Sequence, residues 1–123
     1  MNIYQTKLKE LEQRMVDFSV EIVKVCGKYS ANPTLRSLVD QLVRAGTSIG
    51  ANYAEANNAS SKADFKNKIY IARKEAAETR YWLKILSELL PREDFAKLSQ
   101  EALELTLIMQ KIVSTMKNGS SGK

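Results

Sequence analysis

Residues 62–90 read KADFKNKIYIARKEAAETRYWLKILSELL. The apolar residues of this stretch recur at alternating spacings of three and four, which is the period of a helix with one buried face. The stretch contains no glycine or proline, and Pro91 follows it, which lacks an amide donor and disfavours helix at the residue before it. The sequence therefore predicts a long amphipathic helix that begins at Ser61, where Ser61 and Asp64 suit a capping box, and ends before Pro91.

Three further segments have the same period, at about 3–28, at about 33–57 and from close to Glu93 to 117. Short polar connections make helices that follow one another in the chain antiparallel neighbours. The sequence predicts an all-α protein, an antiparallel up-down-up-down four-helix bundle over residues 1–117, followed by a disordered tail at 118–123. The predicted core positions, helix by helix, are Leu8, Leu11, Met15, Phe18, Ile22, Val25 and Tyr29; Leu35, Val39, Leu42, Gly46, Ile49, Tyr53 and Ala56; Phe65, Ile69, Ala72, Ala76, Thr79, Leu83, Leu86 and Leu90; and Phe95, Leu98, Ala102, Leu105, Met109, Ile112 and Met116.

Composition excludes several classes of function. The 123 residues include no histidine, which removes most zinc and non-haem iron sites and the commonest general base. The single cysteine, Cys26, cannot form an internal disulfide, and no segment approaches the ~20 apolar residues that span a bilayer. An enzyme using Glu55 or Glu75 with Arg80 is the alternative, but a structural ion-pair network explains these residues more simply. We expect a cytoplasmic, non-enzymatic protein with no metal or other cofactor and no membrane association.

Cations share one face of the third predicted helix. At 100° per residue, the members of this basic stripe lie within about 40° of one another, and no carboxylate lies between them. The basic stripe consists of Lys62, Lys66, Arg73, Arg80 and Lys84. Such a row suits a phosphate backbone, because each contact releases counterions, and the net charge of +5 agrees with an acidic partner. Two alternatives stay open: a solvated flank whose cations pair with acids of a neighbouring helix, and a buried ion pair of Arg80 with Glu55 or Glu75.

Apolar residues outside the core positions of the third and fourth helices form a second candidate surface. A wide helical face would bury them within the bundle, whereas a homo-oligomer interface uses surplus apolar and aromatic surface of this kind. We predict the interface and keep docking of another protein on the same face as the alternative function. The residues assigned to this interface are Tyr70, Tyr81, Ile85, Leu103 and Leu107.

Two other features have competing interpretations. Gly46 and Gly50 interrupt the second helix at a cost of about 1 kcal/mol each relative to alanine. They indicate either a close crossing with another helix or a binding surface made by exposed backbone. Trp82 is most simply a packing anchor, and it would suit base stacking if it were exposed.

Several motifs of the second and third helices resemble a known family. The second helix contains QLVRAGTSIGANYAEA at 41–56, and the third contains SKADF at 61–65, IARKEA at 71–76 and ETRYWL at 78–83. Together they resemble the bacterial four-helix bundle proteins encoded in intervening sequences of large-subunit ribosomal RNA genes. The resemblance covers about half of the chain.

The same family includes the accessory variability-determinant proteins of diversity-generating retroelements, which are basic homopentameric barrels. Those proteins bind nucleic acid and the reverse transcriptase of the retroelement. The resemblance therefore implies a homo-oligomer, with a pentamer as the expected form, and RNA or DNA and a protein such as a reverse transcriptase as partners. Ring closure would repeat the basic stripe around an axis and strengthen its field. Our leading interpretation is a non-enzymatic, pentameric ring of bundles that binds nucleic acid.

Overall fold

The computed structural model describes residues 2–121, apart from the side chains of Tyr4 and of residues 117–121. No strand occurs in this part of the chain. The helices, in chain order, are α1 (Ile3–Gly27), α2 (Pro33–Asn57), α3 (Lys62–Leu89) and α4 (Ala96–Ser121).

Side chains cap α2 and α3 at the starts that the sequence predicts. The Asn32 carboxamide oxygen accepts a hydrogen bond from the amide of Thr34 at 2.9 Å. The Ser61 hydroxyl accepts one from the amide of Asp64 at 3.0 Å, which confirms the predicted cap. The return bond of the capping box differs, because the Asp64 carboxylate accepts from the amide of Ser60, one residue earlier, at 3.4 Å. Both helix starts therefore have partners for amides that the helix itself leaves unpaired.

Helices α1 and α2 cross closely at two glycines. A Cβ atom added at Gly46 would lie 3.2 Å from Cγ1 of Ile22, and one at Gly50 would lie 3.0 Å from Cβ of Met15. A side chain at either position requires its neighbour to shift, which confirms the close-crossing interpretation. The later glycine meets the earlier residue of α1, so the two helices are antiparallel.

Ion pairs show the same reversed order between α2 and α3. Arg44 pairs with Glu75, while Glu55, further along α2, pairs with Lys68, which comes earlier on α3. Helix α4 packs beside α3, and α1 and α4 close the bundle along its least tightly packed side. The predicted antiparallel up-down-up-down four-helix bundle is confirmed.

The core runs along the axis shared by the helices. Every predicted core position of α2 is buried. On α4, Val113 is buried although it is not a predicted core position, whereas the predicted positions Ile112 and Met116 are half-buried. Among the described residues, no helix combines the length and the apolar character that crossing a bilayer requires. The largest side chains with almost no exposure are Tyr53, Met15, Ile22, Leu42, Ile49, Ile69, Leu83, Leu86, Leu105 and Met109.

Helix α4 departs from the predicted boundaries at both ends. It begins at Ala96 rather than near Glu93, because the Asp94 carboxylate accepts a hydrogen bond from the amide of Ala96 at 3.0 Å and so sets the start later. Its backbone is helical to Ser121, beyond the predicted bundle limit at 117. Residues 122–123 lie outside the described residues, and disorder of the tail at 118–123 stays a prediction.

Candidate nucleic-acid interface

The cations of the basic stripe form no ion pair with the side chains that the structure describes. Lys62, Arg80 and Lys84 are exposed, and Lys66 and Arg73 are half-buried. Among the side chains that the structure describes, no carboxylate lies within ion-pair distance of any of these five cations. The pairing of these cations with acids of a neighbouring helix is therefore wrong, whereas the choice between a solvated flank and a binding surface is not tested by these contacts.

The ring of Tyr70 lies beside the two cations in the middle of the basic stripe. Lys66 Nζ lies 6.0 Å from the ring centroid of Tyr70, and the guanidinium carbon of Arg73 lies 5.2 Å from it. Cations at these distances are attracted to the ring, which orients both of them. Tyr70 itself is half-buried and packs against the core. Its predicted place in an oligomer interface stays a prediction, but part of its ring is already used within the chain.

Two acids of α3, Glu75 and Glu78, face the other way, toward α2. We call Lys68, Glu75 and Glu78 the α2-facing flank of α3. Arg44 of α2 donates hydrogen bonds to Glu75, at 2.9 Å, and to Glu78. Lys68 Nζ lies 3.3 Å from the carboxylate of Glu55. Because Arg44 and Lys68 hold these carboxylates, the predicted alternative of a buried ion pair between Arg80 and Glu55 or Glu75 is wrong.

Trp82 belongs to the same network. Its indole Nε1 donates a hydrogen bond to the Glu78 carboxylate at 3.1 Å, and the side chain is half-buried against the core. The hydrogen bond from Arg44, followed by the one from Trp82, lowers the pKa of Glu78 below its usual value. The interpretation of Trp82 as a packing anchor fits this environment.

A second ion-pair network connects α1 to α4. Arg14 donates to Glu101 through Nε at 2.6 Å and to Glu104 through a terminal nitrogen at 2.7 Å. The pKa of Arg14 is raised, mainly by the hydrogen bond to Glu101. Hydrogen bonds from Gln100 and then from Arg14 lower the pKa of Glu104. This network bridges the loosest side of the bundle, so its charges serve the fold.

A groove lies beside the C-terminal half of the basic stripe, between α3 and α4. Its volume is about 630 Å³. Arg80 and Lys84 line it together with Tyr81, whose side chain is 60% exposed. The Tyr81 ring meets the Trp82 ring in an edge contact, with centroids 5.4 Å apart and planes at 68°. The groove thus places an accessible aromatic ring between two unpaired cations.

The predicted oligomer residues divide into two groups. Tyr81 and Leu107 are exposed, Leu107 by 53%, while Ile85 and Leu103 are half-buried. Part of the surface of Ile85 and of Leu103 is therefore already covered within the chain.

The sequence analysis missed an apolar surface on α1. Val16, Val20 and Val23 are 47%, 44% and 49% exposed. They lie at positions i, i+4 and i+7, so they form one ridge, which we call the valine ridge. The same search for apolar residues outside the core positions, if extended from α3 and α4 to α1, finds them.

The remaining candidates have structural roles. Cys26 is buried, and desolvation followed by the nearby charge of Asp40 raises the pKa of its thiol to about 11. Glu55 is held by Lys68, and Glu75 shares Arg44 with Glu78, so these acids are in ion pairs between α2 and α3. The structure places each of them in a contact that stabilises the bundle.

These observations define a class, an all-α bundle whose third helix presents, among the described side chains, unpaired cations on one side and ion-paired acids on the other. The chain belongs to the 23S rRNA-intervening sequence protein family, whose model matches residues 8–111. It is similar to the crystal structure of a protein with unknown function from the S23 ribosomal protein family of Bacteroides thetaiotaomicron VPI-5482. The two chains are 36% identical, with a TM-score of 0.76 over 83% of this chain and 96% of the other. A comparison with curated proteins found no match.

The family match confirms the resemblance to intervening-sequence proteins. Neither the matched family nor the similar structure is described as an enzyme. The expected relation to the accessory proteins of diversity-generating retroelements stays a prediction.

Proposed function

We propose that this protein is a non-enzymatic, nucleic-acid-associated bundle that binds RNA or DNA through the basic stripe of α3. The observation that carries the proposal is the asymmetry of α3. Arg44 engages the carboxylates of Glu75 and Glu78 on the α2-facing flank, whereas the cations of the basic stripe have no acidic partner among the described side chains. Unpaired cations in a row along a helix can each contact one phosphate. Membership in an intervening-sequence family supports RNA as the first ligand to test.

The charge-reversal variant that tests the proposal uses the two ends of the basic stripe, Lys62→Glu combined with Lys84→Glu. Both residues are exposed, so the fold should be kept, whereas Lys66 and Arg73 also hold the ring of Tyr70. We expect weaker binding to RNA and DNA of any sequence. The slope of log K against log salt should flatten by roughly 1.4 to 1.8, because each of the two lost phosphate contacts removes about 0.7–0.9.

The matched control is Lys7→Glu combined with Lys9→Glu, which changes the net charge equally on exposed positions of α1. We expect this control to bind nearly as tightly as the wild type. If both double variants lose the same affinity, only the total charge matters and the basic stripe is not the binding surface. If the wild type binds neither RNA nor DNA at low salt, the proposed function is wrong.

We propose further that the chains form a ring, with the pentamer as the expected form. A ring built from head-to-tail contacts needs two different complementary faces on each chain. Two different apolar surfaces of the described bundle suit these contacts: the valine ridge on α1, and a patch on α3 and α4 in which Leu107 is exposed while Ile85 and Leu103 are half-buried. Light scattering should give five times the mass of one chain. Val20→Glu alone and Leu107→Glu alone should each yield smaller species, and a wild type that is monomeric at micromolar concentration would contradict the ring.

The alternative function is docking of another protein on the apolar face of α3 and α4. The exposure of Tyr81 and Leu107, 60% and 53%, favours it. Apolar docking should tolerate salt, whereas phosphate binding should weaken steeply between 50 and 200 mM salt. Salt dependence of the purified complex therefore separates the two functions.

A further inference from the structure

Tyr81 differs from the other tyrosine beside the basic stripe. Tyr70 is half-buried, and Lys66 and Arg73 lie over its ring. Tyr81 is 60% exposed, and the ring contact that the structure shows for it is the edge contact with Trp82. A large aromatic side chain exposed at this level has lost the stabilisation that burial would give it. The ring of Tyr81 is therefore available for contact with a partner.

The surroundings of Tyr81 match what a nucleobase requires. A helical side chain leans over the preceding turn, and the residue there is Ala77, which is too small to cover the ring. Across the groove lie the small residues Ala96 and Ser99 of α4, with Leu103 adding an apolar contact. The groove volume, about 630 Å³, falls within the range of about 300–1,000 Å³ that small-ligand sites occupy.

Two cations of the groove, one on each side of Tyr81 in the sequence, could contact the phosphates that flank a bound nucleobase. Arg80 precedes Tyr81, and Lys84 lies one turn after it on the same side of the helix. Both cations are exposed and line the groove. Glu88, the carboxylate of the groove, lies a further turn along α3 beyond Lys84. A nucleotide chain that runs along the groove would therefore meet cations at Tyr81 and repulsion at the far end.

We propose that this groove binds single-stranded nucleic acid, with one unpaired base stacked on Tyr81 and its flanking phosphates held by Arg80 and Lys84. The inference rests on the proposed function and makes it narrower. Cations alone bind single strands and duplexes alike, but the π-face of a base is accessible only when the base is unstacked. The site should therefore prefer single strands, without reading the base sequence, because every base has such a face.

The test compares Tyr81→Leu, which removes the ring but keeps an apolar side chain, with Tyr81→Phe, which keeps the ring. The ligands are a labelled oligouridylate, a labelled oligothymidylate, and a mixed-sequence strand offered alone and as a duplex. Oligouridylate and oligothymidylate distinguish RNA from DNA as the source of the base. We expect Tyr81→Leu to weaken single-strand binding by roughly 5- to 150-fold and to leave duplex binding unchanged. Tyr81→Phe should stay within about twofold of the wild type.

Trp82 supplies a second readout, because it is the single tryptophan of the chain and its ring touches that of Tyr81. A base stacked on Tyr81 should change the fluorescence of Trp82, whereas heparin, a polyanion without bases, should not. Tyr81→Phe should retain the change on adding oligouridylate. Light scattering of each variant shows whether its oligomeric state is the same as that of the wild type.

Each outcome gives a definite answer. If the wild type binds single strands and duplexes equally and Tyr81→Leu changes neither, the stacking site is wrong while the proposed function stands. If Tyr81→Leu lowers the mass of the assembly and Tyr81→Phe does not, Tyr81 belongs to the interface between copies, and the stacking site is again wrong. If the wild type binds no nucleic acid at low salt, both proposals fail together.

Discussion

Both sides of α3 carry charged side chains, but those on one side are ion-paired and those on the other, among the described residues, are not. On the α2-facing flank, charged side chains are paired across a helix contact, and Glu75 is buried. On the side of the basic stripe, Arg80 and Lys84 point into an open groove, and no acid of the described chain pairs with them. The difference shows how one amphipathic helix separates two tasks, because charges that face a neighbouring helix fix its position while charges on the opposite side remain available to a partner.

Arg44 is central to this difference. One guanidinium pairs with both Glu75 and Glu78, so it offsets one of their two negative charges and holds both carboxylates on the α2-facing flank, away from the basic stripe. The same guanidinium receives further support from Gln41, whose side-chain oxygen accepts from Nε at 3.2 Å. The positive field of α3 thus depends on a residue of α2 that does not belong to the basic stripe.

The largest expected effect comes from removing Arg44. Arg44→Ala leaves the buried carboxylate of Glu75 without its partner, and we expect the free energy of unfolding to fall by about 1–3 kcal/mol. This range lies below the value for a fully buried pair, because the Arg44 side chain is 46% exposed and water can replace part of the interaction. Urea denaturation followed by circular dichroism measures it.

Lys84→Ala is the control for the opposite side of α3. An exposed, unpaired cation should change the free energy of unfolding by less than about 0.5 kcal/mol. Reactivity of the Cys26 thiol at neutral pH reports whether each variant is folded, because the thiol is buried and its pKa is raised to about 11. Equal losses of stability for Arg44→Ala and Lys84→Ala would contradict the division of α3 into two functional sides.

The acid sensitivity of the fold gives the next largest effect. In the folded protein the pKa of Glu78 lies below its ordinary value of 4.5, so its ion pair contributes stability above about pH 4.5 and loses it as pH falls through the lower folded pKa. Arg44→Ala removes the first cause of that shift. The difference in unfolding free energy between wild type and Arg44→Ala should therefore be larger at pH 7 than at pH 3.

A titration of Trp82 fluorescence follows the same event locally, since Nε1 of Trp82 donates to Glu78. We expect the midpoint in Arg44→Ala to lie at higher pH than in the wild type. An unchanged midpoint would mean that Arg44 does not set the charge state of Glu78.

The sequence predicts the fold better than it predicts the site. The three-and-four spacing of Leu42, Ile49 and Leu83 depends only on the local helical period, and all three residues are buried as predicted. Whether Arg80 has an acidic partner, in contrast, depends on how two helices align. Arg44 is 31 residues from Glu75 in the sequence, and no local pattern shows that it reaches Glu75 before Arg80 does.

Contacts between residues distant in the sequence also explain the other differences between prediction and structure. The start of α4 depends on which acid caps it, and Asp94 and Glu93 are equally suitable by composition. Glu93 instead pairs with Lys28 at the end of α1, at 2.7 Å. The exposure of Tyr81 depends on the small residues of α4 opposite it, whereas Trp82, its neighbour in the sequence, turns toward Glu78.

The smallest expected effect is a gain in the free energy of unfolding, and it tests directly whether Arg80 lacks a stabilising partner. Among the residues three or four positions from Arg80, which are Ala76, Ala77, Leu83 and Lys84, one alone is charged, and it is a cation. Arg80→Glu replaces this like-charge pair with a glutamate four residues before a lysine, the favourable order on a helix, and should stabilise the protein by about 0.2–0.5 kcal/mol at low salt. Arg80→Gln, which only removes the repulsion, should gain less stability, and 1 M salt should abolish both gains because it screens exposed charges.

The same Arg80→Glu variant should bind nucleic acid more weakly than the wild type. Higher stability with lower affinity is the combination expected of a cation that serves a partner rather than the fold. A loss of more than about 1 kcal/mol that persists in 1 M salt would instead show that Arg80 has a stabilising partner within the protein.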